Sequence, residues 1–295
     1  MAEWKETEGP ALGRSTLQHY SHAFRYVLPT FGDMDIQSIN RKSIQAFLSK
    51  QAKRYSKSAL KSMRLVMCMV LKWAERNGEL TQPNGWLEGI RLPRVVGKKV
   101  IRTELKPQQT LAFVERMKEP YSTLVLLLAS TGLRGEEAVG FKPPDLDSNN
   151  VLHLRRVFYH GQVDELETER LLSLDAVLHA ELIARMRFLG EGREWIFQSR
   201  AGTPVNMGNA RSRYLQPTAA AIGVKIGGWH DFRHTLVRSL RRAGVNPVVI
   251  SGIVGHKKVE MAAEVYDKAS AADMRQALGM GNQLLPELLP PGTVQ

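Results

Sequence analysis

At 295 residues the chain is long enough for two domains of ordinary size, and its 43% hydrophobic and 24% charged residues are typical of a soluble globular protein. The longest strongly apolar run, Leu124-Val125-Leu126-Leu127-Leu128-Ala129, is far too short to span a bilayer. The N-terminus, MAEWKETEGP, lacks the apolar stretch of a signal peptide, so a cytoplasmic location with no membrane partner is expected. The single cysteine, Cys68, allows no disulfide within one chain and reads as a small core hydrophobe.

The net charge of +12 is concentrated in the first third. Residues 1–106 hold 19 Lys and Arg against 9 Asp and Glu, while residues 107–295 hold 22 against 20. Between Ile36 and Ala74 there is no acidic residue, yet Arg41, Lys42, Lys50, Lys53, Arg54, Lys57, Lys61, Arg64 and Lys72 are all basic. A solvated face mixes signs, whereas a one-sign block on a folded element points to a polyanion. Nucleic acid therefore ranks ahead of a mere solubility surface, and a membrane surface ranks last.

In chain order, residues 1–13 read as a tail and 14–88 as a small, basic, all-helical domain. Leu17, Tyr20, Phe24, Val27 and Leu28 follow helical spacing, as do Ile44, Phe47 and Leu48. A longer helix is predicted over about 58–77, with Leu60, Met63, Val66, Met67, Val70 and Trp73 inward and Gly78 as its stop. Gly, Pro and basic residues without helical period mark 89–102 as an exposed linker in which Lys98 and Lys99 could follow a phosphate backbone. The second domain, 103–279, opens with a helix from Pro107 carrying Leu111, Val114 and Met117. A nearly all-apolar and hence buried helix follows from Pro120 to Gly132. Val151–Phe158 reads as a strand, with Arg170–Leu174 as its hairpin partner. Helices are then predicted over about 176–188, 207–222 capped by Asn206, 230–243 stopped by Gly244, 247–254 and 259–269. Residues 280–295 form an apolar, Pro-rich tail. The class is mainly α with a small β-sheet.

The stretch GWHDFRHT, residues 228–235, carries the chemistry. Read as a metal site, HDFRH resembles the zinc-hydrolase pattern HExxH, but the base position holds the shorter Asp231 and Arg233 would repel a divalent cation. Read as an anion site, His230 and Arg233 are three apart on a helix start and can address one phosphate, the arginine as a planar fork and the histidine as a proton shuttle. Arg134 in TGLRGEE follows a glycine turn, His256 in VGHKK follows another, and Tyr266 comes ten residues later. Arg134, His230, Arg233, His256 and Tyr266 could form one anion site with a nucleophile beside it. His234, Tyr159 and Tyr214 read as structural.

TGLRGEE, HDFRHT and VGHKK with a following tyrosine resemble the boxes of the tyrosine recombinase (phage integrase) family, and the resemblance extends over nearly the whole chain. TLQHYSHAFRYVLPTFG and AKRYSKSALKSMR resemble the family's helical core-binding domain, and the remainder resembles its α+β catalytic domain. The resemblance implies a site-specific recombinase or integrase that grips duplex DNA between its two domains. It would cleave and rejoin strands through a 3′-phosphotyrosine at Tyr266. Arg134, Arg233 and His256 would stabilise the phosphate, His230 would transfer the proton, and Glu137 would orient its neighbours. Neither metal nor any other cofactor is needed. Arg41, Lys42, Lys53, Arg54, Lys57, Lys61, Arg64, Lys98 and Lys99 would contact DNA, the working form would be a homotetramer on DNA, and an accessory DNA-bending protein could assist. The family's hairpin lysine, a general acid, is missing. No lysine lies between Lys142 and Lys225, and the matching position holds Glu167. Cleavage is therefore expected to be slowed, or another group such as His160 or water substitutes. A recombinase-derived DNA-binding protein without cleavage and a zinc hydrolase are the alternatives.

Overall fold

The computed structural model describes residues 2–80, 85–95, 103–159, 161–255 and 271–281. The chain divides into two compact units, Met1–Val100 and Ile101–Gln295, each with its own core.

The first unit is helical: α1 (Ala2–Glu8), α2 (Arg14–Phe31), α3 (Arg41–Gln51) and α4 (Lys57–Arg76). The expected tail 1–13 contains α1, and Trp4 is buried against Tyr20 and Phe24. One large aromatic ring carries enough apolar area to dock a short polar helix that has no hydrophobic period of its own. In α2, Phe24, Val27 and Phe31 turn inward while Leu28 is exposed. Asn40 and Ser43 cap α3 reciprocally, each side chain accepting from the other's backbone N–H at 3.1 and 3.2 Å. Along α4 the inward row is Leu60, Met63, Val66, Met67, Leu71, Trp73 and Ala74, so Leu71 takes the core position expected of the half-buried Val70. Gly78 at φ 74° ends this stretch.

The expected linker is in part docked. A 3₁₀ turn spans Gly85–Gly89, and Leu87 and Ile90 are buried in the first core. The Gln45 side chain exchanges both of its amide hydrogen bonds with the backbone of Arg91, at 2.9 and 3.0 Å. The Arg64 guanidinium donates to the Ile90 carbonyl at 2.7 Å. Residues 89–95 thus belong to the first unit, because two side chains satisfy their backbone groups as a strand or helix otherwise would.

In the second unit, α5 (Pro107–Arg116) and α6 (Tyr121–Thr131) lead to the short α7 (Gly135–Ala138). Every residue of α6 from Ser122 to Thr131 is buried, with α5 and the later helices Ala176–Leu189 and His230–Arg242 packed around it. Three of its hydroxyls donate to nearby acceptors, Ser122 to Val114 O at 2.5 Å, Thr123 to Glu119 Oε2 at 2.6 Å and Thr131 to Leu127 O at 2.6 Å. After the hairpin come α8 (Ala176–Leu189), α9 (Met207–Ala210) running through a π-helical turn (Arg211–Leu215) into α10 (Gln216–Ala221), then α11 (His230–Arg242), α12 (Pro247–Val254) and α13 (Ala271–Gly281). Asn206 caps α9 as expected. The helix predicted over 259–269 and the tail 282–295 lie outside the described residues, as does His160.

The hairpin pairs β1 (Val151–Tyr159) with β2 (Gln162–Ser173). The second strand therefore starts eight residues before the expected Arg170, and Gly161, just ahead of it, has a left-handed φ of 84°. The sequence QVDELETE shows no apolar alternation. Side-chain ion pairs line this part of the hairpin instead, Arg156 with Glu165 and Arg155 with Glu169. Leu154 is paired with Arg170 but Arg156 with Glu165, so residues 166–169 stand opposite Arg155 alone. That is an enlarged β-bulge, and it contains Glu167. Its end is pinned by His153, whose ring nitrogens lie 3.1 Å from Asp147 and 2.7 Å from Glu169. The Asp147 and Glu169 hydrogen bonds hold the imidazole pKa above its ordinary value. Among the described residues no helix is long and apolar enough to cross a membrane.

Candidate active site

The site begins where α6 ends. A helix this apolar can stop inside the protein only if its last carbonyls find donors. Gly132, at φ 67°, turns the chain in the left-handed region. Leu133 is buried, and Arg134 stands at the N-cap of α7. Glu137 folds back over it and accepts the Arg134 backbone N–H at 2.7 Å and its Nη1 at 2.8 Å. The TGLRGEE motif is therefore a self-capping turn that holds a buried carboxylate against a guanidinium 40% exposed to solvent.

The second arm is α11. Ahead of it, Gly227 N–H donates to Asp231 Oδ2 at 2.6 Å, and the Trp229 indole donates to Met207 O at 3.0 Å. Phe232 sits edge-on to Phe113. These contacts set the rotation of the helix and drive Arg233 inward, to 2% exposure. Arg233 Nη1 donates to Gly132 O at 2.8 Å and Nη2 to Val254 O at 2.5 Å. Both carbonyls end helices, α6 and α12, where the aligned peptide dipoles favour a cation. Burial pushes the Arg233 pKa down to about 10, Arg134 and Arg170 act in the same direction, and Glu137 opposes them. The group stays charged at neutral pH, as a desolvated cation with Glu137 as its counter-charge among the described residues.

The two arms meet on α12's last residues. Arg134 Nη2 donates to Gly255 O at 3.4 Å, one residue after the carbonyl that takes Arg233. Arg134 and Arg233 are thus hung on consecutive carbonyls. A third guanidinium, from Arg170 in β2, reaches Glu137 Oε2 at 3.3 Å. Sequence reasoning passed over Arg170, because only the bulged register of the hairpin aims it here.

The remaining candidates are placed as follows. His230 is exposed at the first turn of α11, its ring edge-on to that of the half-buried His234, centroids 4.6 Å apart. His256 and Tyr266 lie outside the described residues, as do Lys98, Lys99 and the side chain of Glu167. In the first unit, Arg41, Lys42, Lys53, Arg54, Lys57 and Lys61 are exposed. Arg64 is half-buried and tied to Ile90, which makes it a structural group at least in part. The zinc-hydrolase alternative finds no support. Asp231 is buried and committed to the Gly227 N–H, and no three metal-binding side chains gather among the described residues.

The profile of the phage integrase family matches residues 103–272, a span holding Arg134, Glu137, His230, Arg233, His256 and Tyr266. The chain belongs to the phage integrase family. A second profile, the phage integrase N-terminal SAM-like domain, matches residues 1–51. Among sequence relatives, a Sinorhizobium fredii protein named as an integrase/recombinase is 24% identical over 286 residues, 90% of this chain and 66% of the relative. Tyrosine recombinase XerC 2 of Ralstonia nicotianae is 26% identical over 211 residues, 69% of this chain and 59% of its own. The chain thus spans two thirds or less of the length of these relatives. Among solved structures, the Tn1549 transposon integrase in complex with a circular intermediate DNA superposes with a TM-score of 0.72 at 18% identity, covering 94% of this chain and 96% of its own. A lambda integrase tetramer bound to a Holliday junction gives 0.65 at 20% identity, covering 86% and 75%. These likenesses establish a shared integrase fold.

Proposed function

We propose that this integrase is a site-specific DNA recombinase that cuts and rejoins strands through a 3′-phosphotyrosine on Tyr266. The observation that carries the reading is the pair of guanidiniums, Arg134 and Arg233, held on the carbonyls of Gly255 and Val254, immediately before His256. A desolvated cation beside a second guanidinium favours an incoming anion, and a phosphodiester whose charge grows in the transition state uses such a site best. The Tyr266 oxygen attacks phosphorus, the bond to the 5′-oxygen breaks, and the tyrosine proton passes to His230. The departing 5′-oxygen takes a proton from solvent or from His160, since no lysine is present in the hairpin. The ester bond energy is conserved in the phosphotyrosine, so a second strand's 5′-hydroxyl can reverse the step without metal or nucleotide. The partner is duplex DNA, gripped also by the basic side chains of the first unit. By analogy with the relatives above, the working form is a tetramer on DNA, and an accessory DNA-bending protein could assist.

Glu167 in the bulge supports a second reading, a DNA-binding protein that cleaves weakly or not at all. Trapping on duplexes nicked near the recombination site separates the two. Under the first reading the natural protein forms a covalent protein–DNA band and Glu167→Lys forms it faster, by up to about 10²-fold for a restored general acid. Tight binding with no band in either would leave only the second reading.

A further inference from the structure

We infer that Arg170 is a positioning residue of the anion site. It ties the β-hairpin to both residues that hold Arg134. Arg134 has two anchors, the Glu137 carboxylate and the Gly255 carbonyl. Arg170 touches the first and lies against the residue that carries the second. Its Nη2 lies 3.3 Å from Glu137 Oε2. Its guanidinium also lies on the bare backbone of Gly255, where an added Cβ would overlap Nη1. Gly255 also needs its left-handed φ of 64°, so glycine is required there twice over.

The electrostatics favour a functional role over a packing one. Among the described residues, the buried Glu137 carboxylate bonds the guanidiniums of Arg134 and Arg170 and acts electrostatically on that of Arg233. Arg170 is itself only 21% exposed and depresses the Arg233 pKa. A like charge this close to Arg134 and Arg233 raises the local positive potential that an incoming anion would meet. The hairpin is built to deliver it. The bulge at 166–169 resets the register so that Arg170 pairs with Leu154, while Glu169, its neighbour, is held by His153 and Arg155. Arg170 thereby limits where Glu137 and the 254–255 backbone can go, and with them the Arg134 fork.

The cleavage part of the test rests on the recombinase reading; the spectroscopic part does not. With full-length protein and a nicked duplex, Arg170→Ala is expected to slow single-turnover cleavage by about 10–100-fold, as loss of a supporting contact does. The Kd for the same duplex should change by less than about threefold, since binding and chemistry separate this way when only transition-state contacts are lost. Arg170→Lys, which keeps the charge facing Glu137, should recover most of the rate. In parallel, the Arg134 side-chain NH signals are followed by NMR in the free protein. Release of Glu137 should speed rotation of the Arg134 guanidinium in Arg170→Ala and not in Arg170→Lys. Unchanged Arg134 rotation in a folded Arg170→Ala overturns the inference whether or not the protein cleaves DNA. Unchanged cleavage beside a lowered melting temperature overturns it too, by showing a merely structural contact. If the natural protein does not cleave, the recombinase reading fails and the Arg134 signals alone decide.

Discussion

Replacing Arg233 with alanine is expected to lower single-turnover strand cleavage by about 10³-fold, the upper range for removing a preorganised donor from a developing oxyanion. The reason lies in how the side chain is held. Its two terminal nitrogens are engaged by Gly132 and Val254, at the ends of two helices, so the guanidinium cannot swing away when the substrate is absent. Such preorganisation means no reordering cost at the moment of reaction. Stability should change much less than rate. The variant loses two charge-assisted hydrogen bonds but is also relieved of a buried cation whose burial already lowers its pKa to about 10. Arg233→Lys keeps the charge but cannot span both carbonyls in one plane, so a loss of about 10² is expected. The check is a cleavage time course under enzyme excess beside a thermal melt of each variant. Equal rates for Arg233→Ala and the natural protein would remove Arg233 from the chemistry.

Gly132→Ala should be strongly destabilising to the second unit. A left-handed residue with a Cβ costs about 1–2 kcal/mol. Here the new Cβ would also stand 3.0 Å from Leu236 Cδ2 and 3.3 Å from Val254 Cγ1, both in the core of α11, α12 and α13. Overpacking adds about 1–3 kcal/mol, and for a unit of this size the sum shifts the melting temperature down by on the order of 5–15 °C. Activity falls as well, because the Gly132 carbonyl that must move is the one holding Arg233. Gly161→Ala is the matched control. Its φ of 84° is equally left-handed, but nothing lies within 4 Å of the added Cβ, so only the backbone strain remains. A melting shift as large at Gly161 as at Gly132 would mean that the packing around Gly132 is looser than the structure has it.

What could be read from the chain alone was whatever is local. The buried helix α6 declared itself by an apolar run between Pro120 and Gly132, and α12 by Asn246-Pro247 at one end and Gly255 at the other. The turn carrying Arg134 and Glu137 is likewise a short-range cap. The anion reading of GWHDFRHT was accessible because Arg233 falls one helical turn from His230. The inward rotation of Arg233 was not, because it depends on Asp231 capping Gly227 and on the Trp229 and Phe232 contacts across the unit. Trp4 was hidden in a polar segment with no period, and the docking of Arg91 rests on Gln45, 46 residues away in sequence. Arg170 was the least legible. Its place in the site needs a strand with no apolar alternation and a bulge that no residue pattern announces.

The chemistry itself turns on one tyrosine. The decisive measurement is mass spectrometry of the covalent complex formed with a nicked duplex, after nuclease and protease digestion. A nucleotide mass on the peptide containing Tyr266, absent in Tyr266→Phe, is the expected result and would assign both nucleophile and linkage. An adduct on Tyr159 or Tyr214, or an adduct that survives Tyr266→Phe, would contradict the proposed mechanism even if the protein binds its DNA tightly.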